Sequence, residues 1–158
     1  MVMFGGWQLR NARGGGGGVG SNGTSGWLKK ARENGVEFVN ISPLATDAAD
    51  FLDAHWLAAR PGTDTALMLG LAHTLFTEGL HDEAFLASHC EGFERFEPYL
   101  MGETDGAPKN ADWASAITGI AADDIRELAR RMAGRRTLIT LAWSLQRGDH
   151  GEQPYWMS

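Results

Sequence analysis

The chain is short of the residues that build a self-contained catalytic or metal centre. Its single cysteine, Cys90, excludes an internal disulfide and any multi-cysteine zinc or iron–sulfur site supplied by this chain. Without a CxxC neighbour it reads as a small buried apolar residue. The five histidines, His55, His73, His81, His89 and His150, show neither HExxH nor another paired metal spacing. His73 falls inside an apolar stretch and reads as a hydrogen-bonded buried imidazole. No GxSxG elbow supports a Ser-His-Asp hydrolase, so the sequence offers neither catalytic residues nor metal ligands. Positive charge is also scarce: 14 Lys and Arg stand against 20 Asp and Glu, a net charge of -6. That balance excludes a nucleic-acid partner, because phosphate binding needs clustered bases that displace counterions. The densest clusters, Arg130-Arg131 and Arg135-Arg136, flank a predicted helix end, where the helix dipole favours cations. No apolar run reaches the roughly 20 residues of a membrane span. The first residues lack the basic start, apolar stretch and cleavage site of a secretory signal, so any export signal of a parent protein is expected outside this chain.

What is present is the composition of one soluble globular domain: 158 residues, 43% apolar and 22% charged. Met1 to Phe4 reads as a short strand entering Gly5-Gly6. Residues 13–26 are a glycine run with Ser and Asn, a composition that keeps backbone entropy high and is predicted to form a flexible loop. Trp27 to Asn34 predicts a helix stopped by Gly35, and Val36 to Ile41 a strand closed by Pro43. A short helix is expected over Ala48 to Asp53 and a strand over His55 to Ala59. From Thr63 the pattern turns helical and apolar, with Leu67, Leu71 and Leu75 on one face. Further helices are predicted over Asp82 to Ser88, over Phe93 to Met101 with a kink or break at Pro98, over Asp112 to Thr118 and over Ala122 to Ala133. Thr137 to Trp143 is the strongest strand signal, a continuous apolar run of the kind buried on both faces of a parallel sheet. Strands alternating with helices predict an α/β fold, a Rossmann-like parallel sheet with crossovers and flanking helices.

Three segments could contact a ligand. The glycine run contains GxGxxG spacings at Gly15, Gly17, Gly20 and at Gly18, Gly20, Gly23. Polar residues Arg10 to Arg13 separate it from the preceding strand, however, and a dinucleotide fingerprint requires the first glycine directly after that strand. Arg60 to Asp64 is better placed, as a turn between a strand's carboxyl end and a helix start. There Asp64 could accept two hydrogen bonds from a guanine edge while free backbone N–H groups meet phosphate or ribose oxygens. Simple capping of the helix by Thr63 or Asp64 is the reading that local sequence favours. Ala142-Trp143 to Gln146-Arg147 also follows a strand, and offers Trp143 for stacking and Arg147 for an oxyanion; a core or interface tryptophan and a surface arginine are the plain alternatives.

Taken in order, Ile41-Ser42-Pro43, Arg60 to Leu75, Gly102 to Gly106 and Trp143-x-x-Gln146-Arg147-x-x-His150 to Met157 resemble one family. That family is the dimethyl sulfoxide, trimethylamine N-oxide and biotin sulfoxide reductases, molybdopterin oxidoreductases that carry molybdenum bis(molybdopterin guanine dinucleotide). The resemblance covers the whole chain, 1–158, and implies part of the α/β domain that binds one guanosine arm of the cofactor. It reverses the local preference for a cap at Asp64. Residue by residue, Gly62, Thr63 and Asp64 match the guanine- and ribose-contacting turn. Ala142, Trp143 and Arg147 match a Gly-Trp-x-x-Gln-Arg segment, with Ala142 in place of glycine. Ser42 and Pro43 match a strand-end Asp-Pro pair, with Ser42 in place of the acid. Gly5 to Leu9 falls where relatives carry Gly-x-Asn-Pro-Leu, with Trp7 and Gln8 replacing Asn and Pro.

By the same resemblance the molybdenum-coordinating serine and the second guanosine site belong to other parts of the family's polypeptide, so this chain is expected to bind cofactor rather than perform chemistry. In the parent enzyme the implied reaction is reduction of an S-oxide or N-oxide, with an external electron donor and the remainder of the polypeptide as partners, in periplasm or cytoplasm. Two other readings stand beside it: a stand-alone guanine-nucleotide-binding module, and a non-catalytic remnant.

Overall fold

Strands of three residues each carry the fold: β1 (Val2–Phe4), β2 (Val39–Ile41), β3 (His55–Leu57) and β4 (Ile139–Leu141). In the computed structural model, which describes residues 1–12 and 23–158, they form one parallel sheet in the order β3-β2-β1-β4. Parallel neighbours need long connections. Helix α1 (Thr24–Glu33) lies between β1 and β2. Between β2 and β3 run two 3-10 turns, Ala45–Asp47 and Asp50–Leu52. Between β3 and β4 come α2 (Asp64–Thr77), α3 (Glu83–His89), α4 (Phe93–Leu100), α5 (Ala111–Thr118) and α6 (Ala122–Ala133). A 3-10 segment, Trp143–Arg147, and a last helix, α7 (Gln153–Met157), follow β4. The chain thus adds strands outward from β1 to β3, then returns and places β4 on the other side of β1. Open parallel sheets leave a ligand crevice at such a reversal, outside the strands' carboxyl ends.

Alternation along each strand divides the core in two. Val2 and Phe4 face one way with Val39, Ile41 and Leu57, against Leu67, Met68 and Leu71 of α2 and Ala114, Ile125 and Leu128 behind them. Met3 faces the other way with Phe38, Leu28, Ala48 and Leu52. Helix α2 is apolar all round because sheet, α5 and α6 surround it. Its Gly70 lies so close to α5 that a Cβ there would sit 2.7 Å from the Ala114 Cβ. The loop before α5 is fixed by a buried lysine: Lys109 donates to both Asp105 carboxylate oxygens (2.9 and 2.7 Å) and lies 4.4 Å from the Tyr99 ring centroid.

The parallel α/β architecture agrees with the sequence reading, and several local expectations need correction. Helix α1 starts at Thr24, inside the stretch predicted as loop; residues 13–22 of that stretch, with most of its glycines, lie outside the described residues. Helix α4 runs through Pro98 without a break. Proline removes one N–H, and eight residues leave few hydrogen bonds to lose. The run from Thr137 to Trp143 shrinks to Ile139–Leu141 at the sheet edge, where Leu138 and Ile139 are exposed rather than covered on both faces. Cys90 is exposed, not buried. His73 is half-buried, its pKa is lowered by that burial, and its ring makes no hydrogen bond among the described residues.

One helix start gives a direct stability test. The Asn110 side chain accepts a hydrogen bond from the Trp113 N–H at 2.9 Å and so caps α5. Asn110→Ala should cost about 1 kcal/mol, a fall of roughly 2–4 °C in melting temperature for a chain of this size. An unchanged melt would show that the cap contributes nothing.

Candidate functional site

The carboxyl ends of all four strands open into one cleft of about 490 Å³. Gly5 contributes from the exit of β1, Ser42 and Pro43 from β2, Ala59 to Gly62 from β3, and Ser144, Leu145 and residues 148–151 from the segment after β4. Four glycines, Gly5, Gly62, Gly148 and Gly151, are part of the wall and leave it locally without side chains.

Each exit is shaped by specific contacts. Gly5 and Gly6 both take positive φ, +77° and +73°, a conformation that glycine adopts without the steric cost a Cβ brings. A Cβ on Gly5 would lie 2.8 Å from the Ala142 Cβ, and one on Gly6 would lie 2.6 Å from both the Cβ and the carbonyl oxygen of Asp47. The two glycines therefore let the β1 exit fit between the exits of β4 and β2. The β2 exit is held by its own polar side chains: Ser42 Oγ donates to the Leu44 carbonyl at 2.7 Å, and Asn40 Nδ2 donates to the Ala45 carbonyl at 3.2 Å. Asp47 accepts from Gln8 Nε2 and, through its carbonyl, from the Trp7 N–H at 2.7 Å. At the β3 exit Gly62 has φ +74°, turning the chain so that α2 starts at the cleft wall.

Asp64 is the first residue of α2 and is 6% exposed. Burial raises its pKa, partly offset by its own backbone N–H, and no cation and no side-chain donor among the described residues meets its carboxylate. An almost buried carboxylate with only its own backbone N–H as donor carries a desolvation cost that further N–H donors would reduce. The capping expectation fails in detail: Thr63 occupies the cap position without a side-chain cap bond, and its Oγ1 donates back to the Arg60 carbonyl at 2.7 Å.

Of the residues singled out in the sequence, Ser42, Pro43, Gly62 and Asp64 line the cleft together. Thr63 lies beside it in the same turn. Ala142 sits behind the wall, its carbonyl accepting from the Tyr155 hydroxyl at 2.8 Å. Trp143, 78% exposed, and Arg147, also exposed, do not line it. Sequence reasoning missed Asp47, Leu145 and His150, and took Gly5 and Arg60 only as parts of turns; all five line the cleft. For Gly5, Asp47, Arg60 and Leu145 the signal was position, since each follows a strand by a few residues; His150 lies beyond the 3-10 segment after β4 and has a left-handed backbone, φ +53°. No group of three His, Cys, Asp or Glu able to hold a metal occurs among the described residues, and no described helix is long and apolar enough to cross a membrane.

Fold and cleft together define an α/β protein with a parallel sheet and a strand-end crevice of ligand-binding size. A family model for molybdopterin oxidoreductases matches residues 24–158, and the chain belongs to that family. It is 46% identical to the biotin sulfoxide reductase of Cereibacter sphaeroides over 99% of this chain and 21% of the relative. With the dimethyl sulfoxide/trimethylamine N-oxide reductase of the same organism it shares 48% identity over 82% of this chain and 16% of the relative. With trimethylamine-N-oxide reductase 1 of Escherichia coli strain K12 it shares 50% over 77% and 15%. The chain thus spans about a fifth or less of the length of these relatives. Among solved structures, acetylene hydratase from Pelobacter acetylenicus superposes with a TM-score of 0.65 at 24% identity, over 90% of this chain and 18% of that one, a likeness of fold.

Proposed function

We propose that this chain is a cofactor-binding part of an S-oxide or N-oxide reductase, and that its cleft holds one guanosine arm of molybdenum bis(molybdopterin guanine dinucleotide). The observation that carries the reading is Asp64, a buried carboxylate at a helix start inside the cleft, met by its own backbone N–H but by no cation or side-chain donor among the described residues. Guanine presents two adjacent N–H donors on one edge, and a carboxylate accepts both at once. The backbone N–H groups of Gly62, Thr63 and the first turn of α2 face ribose or phosphate oxygens, while Ser42 and Pro43 line the same cleft from the β2 exit. Trp143 and Arg147, outside the cleft lining, serve at its rim, Trp143 offering a ring face and Arg147 a cationic fork to groups that extend beyond the pocket.

When bound, the cofactor supplies the redox chemistry. The residues of this chain bind it, orient it and exclude water from the guanosine arm. The external electron donor and the remainder of the reductase polypeptide are the partners this reading requires. Titration calorimetry of the chain with guanosine and with adenosine tests it. Guanosine should bind at least about 10-fold more tightly, because adenine turns an acceptor and an unmatched edge toward Asp64. Equal affinities, or no binding of guanosine, would overturn the assignment.

A further inference from the structure

We propose that Arg60 is a second recognition residue of the cleft, reading an anionic phosphate group on the ligand whose base is held by Asp64. The inference rests on the guanosine reading of the cleft. Among the described residues Arg60 is the one lysine or arginine that lines it. Arg60 is exposed, yet its side chain is fixed. Nη1 donates to the carbonyls of Ala116 at 2.9 Å and Ile117 at 3.1 Å, in the last turn of α5. The Arg60 backbone N–H donates to the Thr118 carbonyl at 2.9 Å. Gly119, at φ +79°, leaves the room this needs, since a Cβ there would sit 3.3 Å from Arg60 Nε.

What this arrangement omits points to a ligand. Nε and Nη2 of Arg60 make no hydrogen bond among the described residues, and no carboxylate pairs with the guanidinium, although Asp47, Asp64 and Asp149 line the same cleft. Arg126, Arg130, Arg131 and Arg135, by contrast, each hold a carboxylate. Nor does Arg60 figure among the influences on Asp64, four residues along the chain. The cleft therefore has two separated poles: a carboxylate without a cation and a guanidinium without an anion. A pre-positioned guanidinium with two free donors fits phosphate oxygens. A ligand with an N–H-rich base at one end and phosphate at the other satisfies both poles.

The alternative is that Arg60 merely ties the β3 exit to α5, and ligand pairs separate the two roles. The 158-residue chain and its Arg60→Met variant are titrated with guanosine and with guanosine 5′-diphosphate, after thermal melts establish that both are folded. In the parent chain the diphosphate should bind more tightly than guanosine, and inorganic diphosphate should compete with it. In Arg60→Met the diphosphate should weaken about 10- to 100-fold, the range of a charge-assisted hydrogen-bonded contact, with guanosine affinity unchanged. Arg60→Gln, which keeps donors for the α5 carbonyls without the charge, should show the same selective loss and replaces Arg60→Met where that variant does not fold. Equal losses for both ligands, no loss for either, or a parent chain indifferent to the phosphates would overturn the proposal. A parent chain that binds no guanosine would instead remove the underlying reading of the cleft, and this inference with it.

Discussion

Replacing Gly6 with alanine should lower the melting temperature of the chain by about 10 °C and abolish ligand binding in whatever remains folded. Two costs combine at this position. For a residue with a Cβ, left-handed backbone at φ +73° costs about 1–2 kcal/mol. The new methyl would also arrive 2.6 Å from the Asp47 Cβ and carbonyl oxygen, and relieving such overlap in a packed region costs typically 1–3 kcal/mol. Together they come to about 3 kcal/mol, which in a chain of this size lowers the midpoint by roughly 6–12 °C. Part of the obstruction is backbone, which cannot swing aside as a long side chain would. The only relief is to push Asp47 and its loop away from the β1 exit, and that loop is a wall of the cleft. Gly26 is the control: it lies in α1 at ordinary helical φ, and a methyl added there would meet nothing within 4 Å. Gly26→Ala should be neutral or stabilising by about 0.5–1 kcal/mol. Similar melts for the two variants would mean that the strand exits are not clamped together at Gly6.

Legibility in the sequence followed the range of the forces involved. The helices were plain where their signals are local: α6 carries acids in its first turn, bases in its last and apolar residues at helical spacing, and its observed span equals the expected one. Sheet strands were found but drawn too long, because a strand ends where its partner ends. Thr137 to Trp143 has β-forming residues throughout, yet β1 offers only Val2 to Phe4 to pair with. Burial was misjudged for the same reason: an apolar run specifies hydrophobicity, while strand order determines whether anything covers it. Helix α7 was missed, since Gln153 to Met157 is too short to show a period. At the candidate site the turn from Gly62 to Asp64 was legible as strand end followed by helix start. The roles of Arg60 and Asp47 were not, because they depend on which loops from distant parts of the chain meet. Trp143 and Arg147 show the converse case, residue types suited to a ligand whose side chains lie outside the cleft lining.

Asp64→Asn should move stability and binding in opposite directions. In the ligand-free chain the carboxylate is almost buried, and burial raises its pKa above the ordinary value for aspartate. The folded state therefore holds a proton that the unfolded chain releases between these two values. By linkage, stability is greatest below the ordinary aspartate pKa and falls as pH rises through the raised one. Once pH exceeds the raised value, the cleft holds a buried charge that no cation among the described residues offsets, and that charge destabilises the fold. Asp64→Asn removes that charge, so the variant should melt above the parent at pH 7, and the difference should vanish in acid. Binding should respond with the opposite sign. Asparagine offers a single acceptor, and its NH₂ group opposes the N–H donors of guanine. Losing two charge-assisted hydrogen bonds and burying an unmatched donor should weaken guanosine by about 100-fold or more. Xanthosine carries a carbonyl where guanosine carries its amino group, so it should bind Asp64→Asn better than guanosine does, reversing the order in the parent chain. Chemical unfolding at pH 7 and at about pH 3, below the ordinary aspartate pKa, together with titrations of both nucleosides, gives the full comparison. A variant less stable than the parent at neutral pH, or one that binds guanosine undiminished, would show that Asp64 is a structural carboxylate and that the base is held elsewhere.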